Sequence, residues 1–230
     1  MDRRSFMSHS ALFGALPAAS PLEQRLVEAF DDMEIVDSHE HLLPEEARIA
    51  QPADFFTLAG HYAMNDVTSA GLPRESLERI NKPETPLAER WRLFEPYWKL
   101  ARFTGYGQAL RTAIQDIYGF PEISAQTLPG INAAILARNK PGLYRYVMKE
   151  RARIRFAVVD DNYNAAPAKL DPEFFRVARK FDRFIAPGSS GGVSAAEKLT
   201  DVSITSLAGL KQAAEKSFQQ SLDVGMVAVK

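Results

Sequence analysis

The chain has 230 residues, 46% of them hydrophobic and 25% charged, with a net charge of −1 and no cysteine. That is enough apolar material for a sizeable core, and the balanced charge sets up no field favouring nucleic acid or an anionic membrane surface. The lack of cysteine excludes disulfides, thiolate metal sites and cysteine nucleophiles, and no apolar run approaches the roughly 20 residues that a membrane-spanning helix needs.

The N-terminus carries the paired arginines Arg3 and Arg4, then a short apolar segment from Ala11 to Ala19. This resembles a twin-arginine export signal, which favours a periplasmic or exported location over a cytoplasmic one. The bland reading is a frayed, partly helical end, so residues 1–20 are set apart as a signal or disordered N-terminus. Pro21 to Asp32 has Leu22, Leu26, Ala29 and Phe30 at helical spacing. Met33 to Asp37 then reads as a first strand, ending in a histidine cluster.

From 42 to 150 the pattern is helical. Pro52 to Val67 reads as one helix, broken by Gly71-Leu72-Pro73. Pro86 to Phe103 is another, with Pro96 expected to kink it. Thr104 to Gly107 reads as a turn, and Gln108 to Tyr118, Thr127 to Arg138 and Gly142 to Ala152 as further helices. Three strands follow: Ile154 to Val159, Phe181 to Ala186 and Met226 to Val229. Asp171 to Arg179 and Ser206 to Leu222 are the helices between them. Pro187 to Ser194 is rich in glycine and serine but lacks the Lys-Ser/Thr ending of a phosphate loop, so it reads as a flexible connection. Strands alternating with helices imply parallel pairing through helical crossovers.

The chemistry concentrates on Ile35-Val36-Asp37-Ser38-His39-Glu40-His41. Side chains alternate across a strand, so His39 and His41 share a face with Asp37, while Ser38 and Glu40 point away. Two neutral imidazoles suit zinc or another first-row divalent ion. A catalytic zinc centre takes about three protein ligands, so the pair is an incomplete site. A bare His-x-His pair is common, and the strand context with Asp at i−2 is what lends it weight.

This segment resembles the Asp-x-His-x-His motif that closes the first strand of amidohydrolase-superfamily barrels. His61-Tyr62, Asp66 to Pro73, Trp91 to Trp98, Thr104 to Gly107 and Gly225 to Lys230 are similar to the FluG-like and nodulin-like group, with uronate isomerases as more distant relatives. The resemblance implies a (β/α)8 barrel, α/β in class, with its site at the C-terminal strand ends. It implies that His39 and His41 hold a divalent metal, most simply zinc, and that Asp37 orients a ligand or the adjacent loop from behind. Lys230 falls at the end of the fourth strand, where it would touch metal or substrate; the plain alternative is an exposed lysine. Asp160 and Asp161 follow the second strand and read more simply as loop or capping carboxylates. Asn162 and Arg183 are weaker candidates still. His61 reads as a helix-surface residue, and Trp91 and Trp98 as core.

A complete barrel of this kind needs about 250 residues, and only four strands are visible. The family's remaining metal histidines and its catalytic aspartate come from later strands, and no histidine follows His61. Residues 21–230 are therefore expected to be the N-terminal part of one barrel, truncated after about four strands, with a helical insert at 42–150. Open strand edges predict self-association, hence a homo-oligomer. The expected function is that of a metal-dependent hydrolase, in which metal-activated water attacks a carbonyl of a small-molecule substrate. No nucleic-acid partner is expected. The alternatives are uronate-isomerase-like or decarboxylase chemistry on the same barrel, or a non-catalytic FluG-like domain.

Overall fold

The structure is a computed structural model that describes residues 20–160 and 170–230. The export-signal segment, Asp161 and Asn162 lie outside the described residues. The described residues divide into two compact units, one formed by 20–24 and 45–143, the other by 25–44 and 144–230.

Helix α1 spans Pro21–Asp32. The first unit is built from α2 (Glu45–Ile49), α3 (Phe55–Ala59), α4 (Tyr62–Ser69), α5 (Arg74–Ile80), α6 (Leu87–Ala101), α7 (Gly105–Tyr118) and α8 (Leu128–Arg138). Helix α6 buries Trp91, Phe94, Trp98 and Ala101, the stripe its sequence spacing predicts, and continues as helix through Pro96. Phe94 meets Phe55 edge-on at 5.7 Å and stacks on Trp98, also at 5.7 Å. Trp91 and Trp98 are core residues, as expected.

One charge is buried with this core. Arg90 Nε donates to the Ile80 carbonyl at 2.6 Å, and its guanidinium pairs with Asp54 and lies 4.3 Å from the centre of the Phe56 ring. Asp54 also caps α3, accepting from the Thr57 amide at 2.9 Å while its own amide donates to Thr57 Oγ1 at 3.1 Å. Arg90 thereby ties the start of α3 to the end of α5.

Several sequence expectations need correction here. Pro52 to Val67 is two helices, because His61 takes φ 59° and ψ −112° between them. That conformation suits glycine and strains any side chain. His61→Gly should therefore raise the denaturation midpoint of the helical unit, a gain of roughly 1 kcal/mol; an unchanged or lower urea midpoint would show that the local backbone relaxes. Thr104 to Gly107 starts α7, with the Gly107 amide donating to Thr104 Oγ1 at 3.1 Å. A Cβ on Gly107 would lie 2.2 Å from the Ala101 carbonyl oxygen, which explains the glycine better than turn chemistry does. Gly142 to Ala152 is in part a π-helix, Arg145–Arg151. Helices α2 and α5 lie within the stretch that reads as helical, without having been delimited there.

The second unit carries four strands, β1 (Ile35–Glu40), β2 (Ile154–Asp160), β3 (Phe175–Arg179) and β4 (Met226–Val229). They form one sheet in the order β1-β2-β3-β4, every pair parallel. This is a partial barrel-type α/β sheet, in agreement with the alternation read from the sequence.

The third strand is not where periodicity put it. Phe175–Arg179, expected to be helical, is β3, while the expected strand Phe181 to Ala186 contains the short helix α9 (Asp182–Ile185). Most of the expected flexible loop is the start of α10 (Ser190–Thr200), where Ser189 Oγ accepts from the Gly192 amide at 3.2 Å. Helix α11 (Leu207–Asp223) turns Ala213, Ser217 and Ser221 inward, leaving Leu207 and Phe218 exposed.

Strand β1 has an irregular register. Asp37 pairs with Ala157 and Glu40 with Val159, so three steps on β1 match two on β2. A bulge of this kind breaks strict alternation and re-aims the side chains beyond it.

Candidate functional site

In a parallel sheet all strands end on one side, so residues closing successive strands are brought together. Here each of the four ends contributes. His39 comes from β1, His41 from just past it, Asp160 from β2, Lys180 from just past β3 and Lys230 from just past β4. The Lys230 amide donates to the Arg179 carbonyl at 2.9 Å, which fixes its main chain against β3.

Asp160 is the hub. Its side chain is 3% exposed, and Oδ2 accepts from Lys230 Nζ at 2.7 Å and Lys180 Nζ at 2.8 Å. His41 Nδ1 lies 3.9 Å from the same oxygen. Lys230 Nζ is 3.5 Å from both ring nitrogens of His39. The imidazoles of His39 and His41 are 4.8 Å apart, nearly perpendicular. Burial pushes the Asp160 carboxyl up, but the hydrogen bonds and charges of Lys180 and Lys230 outweigh it and hold the group below the usual carboxylate range.

Asp37 acts on the chain and on a neighbour. Its Oδ1 accepts from the His39 amide at 3.2 Å. Glu40, expected to point away, is close enough to Asp37 for the two carboxyls to interact, and the register of β1 shifts between them. Burial first, then the neighbouring Asp37 carboxyl, push the Glu40 carboxyl up.

The fit to a metal can be judged from these donors. Among the described residues no group of three His, Cys, Asp or Glu side chains is placed to hold an ion. His39 and His41 fit as two imidazole ligands of a divalent centre. Asp160 Oδ1 is buried and has no hydrogen-bond partner among the described residues, so a carboxylate oxygen stands unused beside them.

The other candidates fall elsewhere. His61 belongs to the helical unit, is exposed, and sets its ring 5.8 Å from that of Tyr62. Arg183 donates to the Ala195 carbonyl at 3.3 Å, linking α9 to α10. Sequence reading missed Lys180 and underrated Asp160. Correct placement of β3 would have put Lys180 one residue past a strand end, like Lys230.

No protein-family model matches the chain. The chain resembles uronate isomerases. It is 29% identical to the uronate isomerase of Brucella canis over 123 residues, covering 50% of this chain and 26% of that protein. It is 23% identical to that of Nostoc punctiforme over 155 residues, covering 64% of this chain and 30% of that protein. Among solved structures, the glucuronate isomerase of Caulobacter crescentus superposes with a TM-score of 0.66 at 17% identity, over 86% of this chain and 45% of that one. The uronate isomerase of Thermotoga maritima gives 0.66 at 15% identity, over 86% and 46%. The chain thus spans between about a quarter and a half of the length of the proteins it matches.

These matches correct the resemblance drawn from motifs. Uronate isomerases are not distant relatives standing behind a FluG-like and nodulin-like group; they are what the sequence and the fold both match. The shared fold is a uronate-isomerase-type α/β fold, and nothing in the matches supports a hydrolase over an isomerase.

Proposed function

We propose that this chain is part of a metal-dependent isomerase acting on a uronate, a sugar bearing a carboxylate. The observation that carries the reading is the convergence of His41, Lys180 and Lys230 on Asp160, with His39 beside Lys230, in a chain that resembles uronate isomerases. A divalent ion held by His39 and His41, with donors from outside this pair, would supply Lewis-acid polarisation of the substrate carbonyl. Interconverting an aldose and a ketose moves one proton between neighbouring carbons and relocates the carbonyl. The site must therefore bind oxygens, keep them oriented and hold a proton. Lys230, fixed by its amide on β3 and its ammonium on Asp160, can donate to a substrate oxygen. Asp37 accepts from the His39 amide within β1, which keeps that ring's position set by the strand.

Isomerisation leaves the substrate mass unchanged and hydrolysis adds a water, so one assay separates the two. The protein loaded with zinc or manganese and incubated with D-glucuronate should yield a keto-uronate of equal mass by NMR and mass spectrometry. His39→Ala should lower both the turnover and the bound metal at least tenfold. Turnover of amides or lactones with none on uronates would favour the hydrolase instead. A purified protein without stoichiometric divalent ion, unchanged by His39→Ala, would sink the metal assignment.

A further inference from the structure

Helices α6 and α7 of the helical unit meet at a tight corner. The Cβ that Gly107 lacks would collide with the Ala101 carbonyl, so only glycine lets the chain fold back this closely. The Thr104 hydroxyl fastens the corner, shared between Asp66 of α4 and the Ala101 carbonyl oxygen 2.8 Å away. The α7–α8 connection is held as well, with Thr127 Oγ1 donating to the Glu122 carbonyl at 2.8 Å. A cavity of about 200 Å³ is lined from these segments. Trp98 and Ile123, both buried, and Pro121 give it apolar surface. Arg102, Arg111 and Glu122, all exposed, give it charge. Arg111 makes no hydrogen bond, ion pair or ring contact among the described residues. Arg102 lies 4.7 Å from the centre of the Phe103 ring and makes no hydrogen bond or ion pair among the described residues. Glu122 shares the cavity but forms an ion pair with neither arginine, so the lining keeps one net positive charge and two unengaged guanidinium forks.

We propose that this cavity binds a small anionic ligand, an oxyanion carried on an apolar body. Arg102 and Arg111 take the oxyanion, because a guanidinium presents its N–H donors in the planar fork that carboxylate and phosphate oxygens match. Trp98, Pro121 and Ile123 take the apolar body. The volume sets the size of the ligand: it falls below the roughly 300–1,000 Å³ of pockets that hold drug-sized molecules. Every lining residue belongs to the helical unit, so the site does not depend on the isomerase reading of the strand ends.

Titrations of the protein followed by calorimetry and by tryptophan fluorescence test this, since Trp98 lines the cavity. The probes are cyclohexanecarboxylate, the uncharged cyclohexanecarboxamide and inorganic phosphate. The acid should bind saturably and at least fivefold more tightly than the amide, with the difference shrinking in added salt. Arg102→Met and Arg111→Met should each weaken the acid at least fivefold, and Arg→Lys should restore only part of the loss, because lysine lacks the planar fork. Glu122→Gln removes the carboxylate that repels the ligand and should tighten binding at least twofold. Thermal melts of the arginine variants should match the parent, which separates lost binding from unfolding. Phosphate bound more tightly than the acid, with the same arginine dependence, supports the site and makes its ligand a phosphate; the reverse order supports it and makes the ligand an organic acid. Binding of neither anion, equal affinity for acid and amide, or arginine variants that bind like the parent overturns the proposal. His39→Ala should bind the probes as the parent does; a loss there assigns the binding to the strand ends and overturns it too.

Discussion

Replacing Arg90 with methionine is expected to remove about 3 kcal/mol from the stability of the helical unit, the low end for breaking a buried ion pair. The guanidinium is 7% exposed and serves three partners: Asp54, the Ile80 carbonyl and the face of Phe56. Methionine fills much of the volume but leaves the Ile80 carbonyl without its donor and Asp54 without its countercharge. Asp54 keeps 27% of its side chain in contact with water, which is why the loss falls short of the upper range. Urea unfolding followed by tryptophan fluorescence measures it directly, because both tryptophans of the chain lie on α6. Combining the change with Asp54→Ser retains an N-cap and removes the orphaned charge. Recovery of part of the loss is expected; no recovery would mean that contact with Phe56, not the charge, is what Arg90 supplies.

Asp160→Asn should loosen the strand ends, by about 2 kcal/mol for a buried acceptor that loses two charge-assisted bonds. The sign of the accompanying pH dependence follows from the depressed carboxyl. Its contribution is present above the ordinary aspartate value, near 3.9, and is lost as pH falls through the lower folded-state value. Hydrogen exchange at the Ala157 and Val159 amides should therefore accelerate below about pH 4 in the parent protein. In Asp160→Asn it should already be fast at neutral pH and change less on acidification. Parallel pH profiles for the two proteins would show that the Lys180–Asp160–Lys230 cluster does not stabilise the sheet.

The parts of the fold that the sequence made legible are those where hydrophobic pattern and burial agree. Ile35 to Asp37, Ile154 to Val159 and Met226 to Val229 are apolar β-type runs stopped by polar residues, and all three are strands. Trp91, Phe94, Trp98 and Ala101 recur at helical spacing and are buried on one helix face. β3 defeated the same reasoning. Phe175, Val177, Ala178 and Arg179 are all buried, so the strand shows no alternation, and nearby Phe174 and Pro172 lend it a helical look. The more apolar run from Phe181 to Ala186 then took its place. That slip moved Lys180 from after a strand to before one, and hid it from the site. Glu40 was misplaced for a different reason: alternation assumes an unbroken ladder, and the bulge in β1 appears only in the pairing with β2. The His39 and His41 pair was visible because its spacing is local, whereas the Asp160 cluster joins residues as far apart as His39 and Lys230, 191 positions, and exists only after the sheet has formed.

The pairing of β1 with β2 also constrains the time at which the sheet can form. Glu40 ends β1 and Ile154 begins β2, with the whole helical unit between them. At synthesis rates of about 5–20 residues per second, β1 emerges roughly 6–20 seconds before its neighbour exists. The helical unit has its own core, so it can fold within that interval. Once folded, it replaces a long floppy loop with a compact body, so closing β1 on β2 costs less chain entropy than the residue count implies. Until then the unpaired β1, with Val36 and the two histidines, waits as an open strand edge, the moment in the protein's life at which it is most exposed to misassembly.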